Sequence, residues 1–185
     1  MNYKKWVLVA VSLFSIGLVL GLAIPPDLSL ATETLTSLEE LSRLLTPFSI
    51  LTVLFIFVKN ASALVFSFIL SPLLCLVPFI SLTVNGCIIS LVSTIVVQEQ
   101  SLGFLLAGLI PHGIFELPAF IIGQAAALSF GAMAILALFS KKKRGLLPDS
   151  LKQNLKYLVL ALLLLLPAAI LETYFTPWLL TLEVV

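Results

Sequence analysis

Five stretches of this chain stay apolar for about the length a helix needs to cross the hydrocarbon of a bilayer, roughly 20 residues at 1.5 Å each. They cover residues 6–24, 46–70, 73–97, 102–139 and 157–180. In lipid every backbone N–H and C=O needs a partner within the protein, so a spanning segment is either a helix or a strand of a closed barrel. None of the five runs alternates at period two, so the expected architecture is an all-α, polytopic transmembrane bundle of about five spans, forming one membrane domain over residues 1–185. The composition fits: 61% of residues are hydrophobic and only 10% are charged, far from the balance of a soluble domain. The lipid bilayer is therefore the first partner. The formal net charge is +1 and the basic residues gather at a few points, so nothing suggests a nucleic-acid partner and none is expected.

Charge also sets the expected orientation. Lys4 and Lys5 precede the first run, and Lys141, Lys142, Lys143, Arg144, Lys152 and Lys156 lie between the fourth and the fifth. The positive-inside rule puts both clusters in the cytoplasm. Five spans satisfy this with the N-terminus cytoplasmic and the C-terminus outside the cell membrane. The first run is longer than a signal-peptide core and shows no small-x-small cleavage site before Pro25-Pro26, so it reads as a retained span with Trp6 at headgroup level. After it the chain turns acidic, with Asp27, Glu33, Glu39 and Glu40. Leu35, Leu38, Leu41, Leu44 and Leu45 recur at helical spacing, and Ser37 followed by Glu40 reads as a capping box. An amphipathic helix over residues 31–45, lying on the membrane surface or over the end of the bundle, is expected.

The most unusual stretch is Pro111-His112-Gly113-Ile114-Phe115-Glu116-Leu117-Pro118-Ala119, which holds the chain's single histidine inside a long apolar run. An ionisable group at membrane depth costs several kcal/mol unless it is paired or faces water. Two prolines remove backbone donors and Gly113 tolerates unusual angles, so the fourth span is expected to break across residues 111–118, or to begin as a re-entrant arm. Where the backbone is helical, His112 and Glu116 share a face. Further polar residues stand in other spans, and Asn60, Asn85, His112, Glu116, Gln124 and Glu172 are expected to form a buried polar network. Glu172 lies toward the outer end of its span. Lys59 either pairs with Glu116 or extends toward the interface. Gly123, Ala125, Ala126, Ala127 and Gly131 let another helix approach closely. Cys75 and Cys87 sit in apolar sequence without a CxxC pattern and read as small hydrophobes.

The PHGIFELPA run, Asn60, the Val84-Asn85-Gly86 triplet, and Ala168-Ala169-Ile170-Leu171-Glu172 followed by Thr176-Pro177 together resemble the stage II sporulation protein M family, from about Phe48 to Pro177. The resemblance implies a polytopic membrane fold. In sporulating bacteria it implies the membrane-embedded component that localises two partner proteins, which remodel peptidoglycan during engulfment. The family also occurs in prokaryotes that never sporulate, archaea included.

Three functions are compatible with these residues. The first is a non-catalytic scaffold that anchors other membrane or envelope proteins, alone or as a homo-oligomer. The second is a transporter or channel with a polar intramembrane site at His112 and Glu116, coupled to protons or a metal. The third places a divalent metal such as zinc on His112, Glu116 and Glu172. A single histidine rules out HExxH, and neither a GxSxG elbow nor a soluble domain able to cut peptidoglycan is present. The expectation is therefore a scaffold, without catalytic residues and without a certain cofactor.

Overall fold

The computed structural model describes residues 3–24 and 48–183, with side chains throughout except at 99, 112 and 180–183. The amphipathic helix expected over residues 31–45 lies outside the described residues. The described elements are α1 (Tyr3–Ala23), α2 (Ile50–Leu70), α3 (Leu76–Glu99), α4 (Leu102–Phe139), α5 (Lys141–Gly145), α6 (Leu147–Ile170), a π-helical turn (Leu171–Phe175) and α7 (Thr176–Glu183). Among the described residues there is no strand, and five helices are long and apolar enough to cross a membrane. The protein is a multi-pass, all-α membrane protein.

Local chemistry fixes where the helices start. The Ser49 hydroxyl accepts a hydrogen bond from the Leu51 N–H at the head of α2, and the Ser101 hydroxyl accepts one from the Phe104 N–H at the head of α4. Each satisfies one of the four donors a helix leaves open at its N-terminus. Between α2 and α3 the chain reverses through a turn in which Leu74 and Cys75 take left-handed backbone angles, φ 54° and 55°. Neither residue is glycine, so the turn carries strain.

The expected break at residues 111–118 does not occur. α4 is one helix of 38 residues that runs through Pro111, Gly113 and Pro118. A proline removes one hydrogen bond of the ladder, leaving here the carbonyls of Ala107 and Ile114 without their helical donors, while the bonds on either side persist. Transmembrane helices tolerate this where neighbouring helices pack against the defect, and the Pro111 side chain is fully buried. At about 57 Å, α4 outreaches the roughly 30 Å of hydrocarbon.

The irregular backbone lies instead near the other end of the chain. The last span begins at Leu147, earlier than residue 157, with Pro148 in its first turn. It passes into the π-helical turn, where the Thr176 N–H donates to the Leu171 carbonyl five residues back. Pro177 has no N–H to offer the Thr173 carbonyl. The Phe48 N–H takes that place, donating to Thr173 across 3.4 Å and tying the entry of α2 to the π-turn.

α4 is the hub: α1, α2, α3 and α6 all pack on it. Residues 123–129 are buried without interruption. Seven consecutive positions make about two turns, so every face of the helix is covered there. On one side Ala126 and Ala127 pack with Leu64, Phe68, Leu158, Ala161 and Leu165. On the other, Ala125 and Leu128 pack with Ala10, Phe14 and Leu82. The alanines expected to admit a neighbouring helix thus admit several.

α1 and α3 approach more closely still. A methyl group on Gly17 would overlap the Thr83 carbonyl oxygen, one on Gly21 the Cys87 carbonyl, and one on Gly86 the Phe14 carbonyl. Both partners advance by four residues, so the two helices run in the same direction. Gly131 likewise leaves room for the Ser71 carbonyl of the α2–α3 turn. Beside it the Cys75 thiol donates to the Leu128 carbonyl at 3.7 Å. Both cysteines are free thiols, packed as expected of small hydrophobes.

At one end of the bundle the rings of Tyr3 and Tyr157 stack at 3.5 Å, and the Tyr3 hydroxyl donates to the Ile122 carbonyl at 2.8 Å. This brings the start of α1, with Lys4 and Lys5, beside the start of α6, with Lys152 and Lys156. The two basic clusters share one end of the bundle.

Gly86→Ala is expected to destabilise the protein by about 1–3 kcal/mol, because the added methyl has no space. Gly108→Ala, where a methyl group meets nothing within 4 Å, is expected to be neutral or stabilising by up to about 1 kcal/mol through helix propensity. Equilibrium unfolding of the two variants in the same detergent checks the contrast, and equal behaviour would refute the packing argument.

Candidate functional site: polar groups inside the bundle

Gln124 sits on the encircled part of α4 and is wholly inaccessible to solvent. Its Oε1 accepts from the Ser67 hydroxyl of α2 at 2.6 Å, and its Nε2 donates to the Ser81 hydroxyl of α3 at 2.9 Å. One side chain therefore joins three spans. Two turns earlier on the same helix, Glu116 meets α2 again: the Asn60 Nδ2 donates to Glu116 Oε1 at 2.9 Å. Asn60 and Ser67 are seven residues apart and Glu116 and Gln124 eight, so the two bonds form successive rungs between helices that run in parallel. Glu116 is half-buried, with its Oε2 shielded from solvent.

The expected network of six residues divides. Asn60 and Glu116 come together, and Gln124 forms its own set with two serines. Asn85 is exposed on the outside of α3, its Nδ2 donating to the Ser81 carbonyl of its own helix at 2.8 Å, so it does not belong to a buried network. Glu172 stands in the π-turn with its Oε2 buried. It lines a cavity of about 330 Å³ with Ile89, Val92, Phe104, Leu109 and Thr176. The helical backbone places His112 four residues before Glu116 as expected; its side chain lies outside the described residues. Among the described residues no three metal-ligating side chains gather. It is Asn60, and not Lys59, that reaches the Glu116 carboxyl. Lys59 is exposed.

Ser67 and Ser81 were not legible as partners of Gln124, because serines are common in spans and bond mostly to their own helix, as Ser93 does to Ile89 here. The π-turn left no sequence signal beyond Pro177. The Gly17-x-x-x-Gly21 spacing did carry one, since glycines four apart form a helix-docking face.

Chemically, the interior holds amide, hydroxyl and carboxyl groups bonded to one another across helices. Such bonds contribute about 0.6 kcal/mol on average in membranes and up to about 1.7. In a double-mutant cycle, Asn60→Ala and Glu116→Ala are expected to show a coupling of about 1 kcal/mol, measured by unfolding in bicelles. Additive effects of the two substitutions would show that the rung contributes nothing.

Comparison with known proteins agrees with this architecture. Residues 10–177 match the profile of the family described as Stage II sporulation protein M. An uncharacterized protein of Methanocaldococcus jannaschii is 33% identical over 100 residues, which cover 54% of this chain and 56% of the relative. The match thus spans little more than half of either protein. No solved structure matches the chain. With five spans on the page and a family match running from within α1 to the first turn of α7, the chain belongs to the stage II sporulation protein M family.

Proposed function

We propose that the protein is a membrane-embedded scaffold that anchors or localises partner proteins in a complex of the cell envelope. The observation that supports this is the way the interior is used. Ser67, Gln124 and Ser81, and Asn60 with Glu116, spend their hydrogen bonds on joining α2, α3 and α4, and the cavity beside Glu172 is lined mainly by apolar side chains. A bundle held this way presents a fixed outer surface. In sporulating relatives the resemblance points to partners that remodel peptidoglycan, and any hydrolysis would belong to those partners. The N-terminus is cytoplasmic and the C-terminus outside in this reading, because both basic clusters lie at one end and positive charge is retained in the cytoplasm.

Two measurements test the reading. A phosphatase reporter fused to the C-terminus is expected to be active and one fused to the N-terminus inactive; the reverse pattern would invert the topology. Liposomes containing the purified protein are expected to pass protons no faster than empty ones, while cross-linking in cells recovers envelope proteins reproducibly. Proton flux that disappears in Glu116→Gln would replace the scaffold with a transporter.

A further inference from the structure

Lys59 is the tenth of the 21 residues of α2 and faces outward. It stands about 14 Å along the helix from Ile50 and about 16 Å from Leu70. Side chains lean toward the N-terminus of their helix, and the four methylenes of a lysine cover less than half of the distance to that end. Extension to the interface therefore leaves the ammonium within the hydrocarbon. The outward face around it is mostly apolar: Phe55 and Phe66, one and two turns away, are 47% and 64% exposed. Ala63, one turn on, is small and exposed. The face reads Phe55, Lys59, Ser62, Ala63, Phe66, with the Ser62 hydroxyl donating to the Lys59 carbonyl at 2.8 Å, so a cation stands beside a shallow step between two aromatic rings.

We infer that this face of α2 is the docking site for a transmembrane helix of another protein carrying an aspartate or glutamate near its midpoint. Charge complementarity selects that occupant, since a lone ammonium at this depth is costly and a carboxylate offsets it. The small Ala63 lets the partner backbone approach. Among the described residues a second copy of this chain does not offer the group. Among the described acidic side chains, Glu116 is bonded to Asn60 within its own chain, the Glu172 carboxyl is turned into the bundle, and Asp149 lies at the start of α6, at the basic end. The inference rests on the scaffold reading and names where on the scaffold a partner binds.

The test uses the full chain, fluorescently labelled, in phosphatidylcholine liposomes with a synthetic leucine–alanine transmembrane helix bearing one mid-span glutamate and an acceptor dye. Energy transfer should report association about tenfold tighter than for the same helix with leucine at that position. Lys59→Met should abolish the difference and Lys59→Arg should retain it. Equal association of the glutamate and leucine helices with the unaltered protein overturns the proposal, and this arm decides even where Lys59→Met does not fold. Energy transfer between copies of the chain that Lys59→Met removes assigns the face to self-association instead. Loss of the glutamate helix when phosphatidylglycerol is added assigns it to an anionic headgroup. Envelope partners that cross-link equally to Lys59→Met and to the unaltered protein leave the scaffold standing and take Lys59 out of it.

Discussion

The structure depends on one helix being surrounded. Lipid chains are as apolar as leucine, so spans gain little from merely touching one another, and they associate through close packing and interhelical hydrogen bonds. A helix with neighbours on every side can be approached that closely only if its own side chains are small. Five of residues 123–129 of α4 meet this condition, Gly123, three consecutive alanines and Ser129, while Gln124 and Leu128 fill the space between the neighbours. Gly123 faces Leu64 and Ala161, so α2 and α6 meet α4 at the same level, while α1 and α3 close on Ala125 and Leu128 from the other side. The glycine contact between α1 and α3 then makes those two spans a single wall.

Removing water imposes the second condition. A polar group inside the bundle must find its partner on another helix or on its own backbone, because the solvent offers none. Two polar side chains on α4 obey this by reaching across: Gln124 joins two serines from two different helices, and the half-buried Glu116 accepts from an asparagine. The same requirement governs the backbone. Where Pro177 withdraws the donor for the Thr173 carbonyl, an amide from a segment more than a hundred residues earlier in the chain supplies it. The missing N–H is thus made good by a contact that ties the entry of α2 to the π-turn.

The spans were legible because length and apolarity are all that crossing a bilayer requires, and the runs over residues 46–70, 73–97 and 102–139 became α2, α3 and α4 within a few residues. The small residues of α4 were legible as a packing face, although not as one that closes on every side. The two prolines do not break α4 because each removes a single bond of the ladder while the bonds on either side persist; Pro111 is buried among its neighbours and Pro118 is exposed. Of the polar residues, type alone showed that Asn60, Glu116 and Gln124 need partners. It did not show which partners, because that depends on how the helices are rotated. Asn85 illustrates the point: chemically it resembles Asn60, yet it turns outward and satisfies its amide on its own helix.

Rotation also explains why adjacent residues of α2 have opposite fates. Lys59 and Asn60 are neighbours in sequence and about 100° apart around the helix. Asn60 points at α4 and bonds to Glu116, which takes the carboxylate that Lys59 could otherwise have shared. Turning α2 to bring the lysine inward would expose the asparagine and pull Ser67 away from Gln124, since Ser67 lies two turns along the same face. The interior is therefore settled by neutral donors, and the positive charge is left on the surface as the consequence of satisfying Gln124 and Glu116 together. A polar residue inside this bundle stabilises the fold of the chain itself, whereas one turned outward at the same depth has its energetic cost set by what lies beyond the chain.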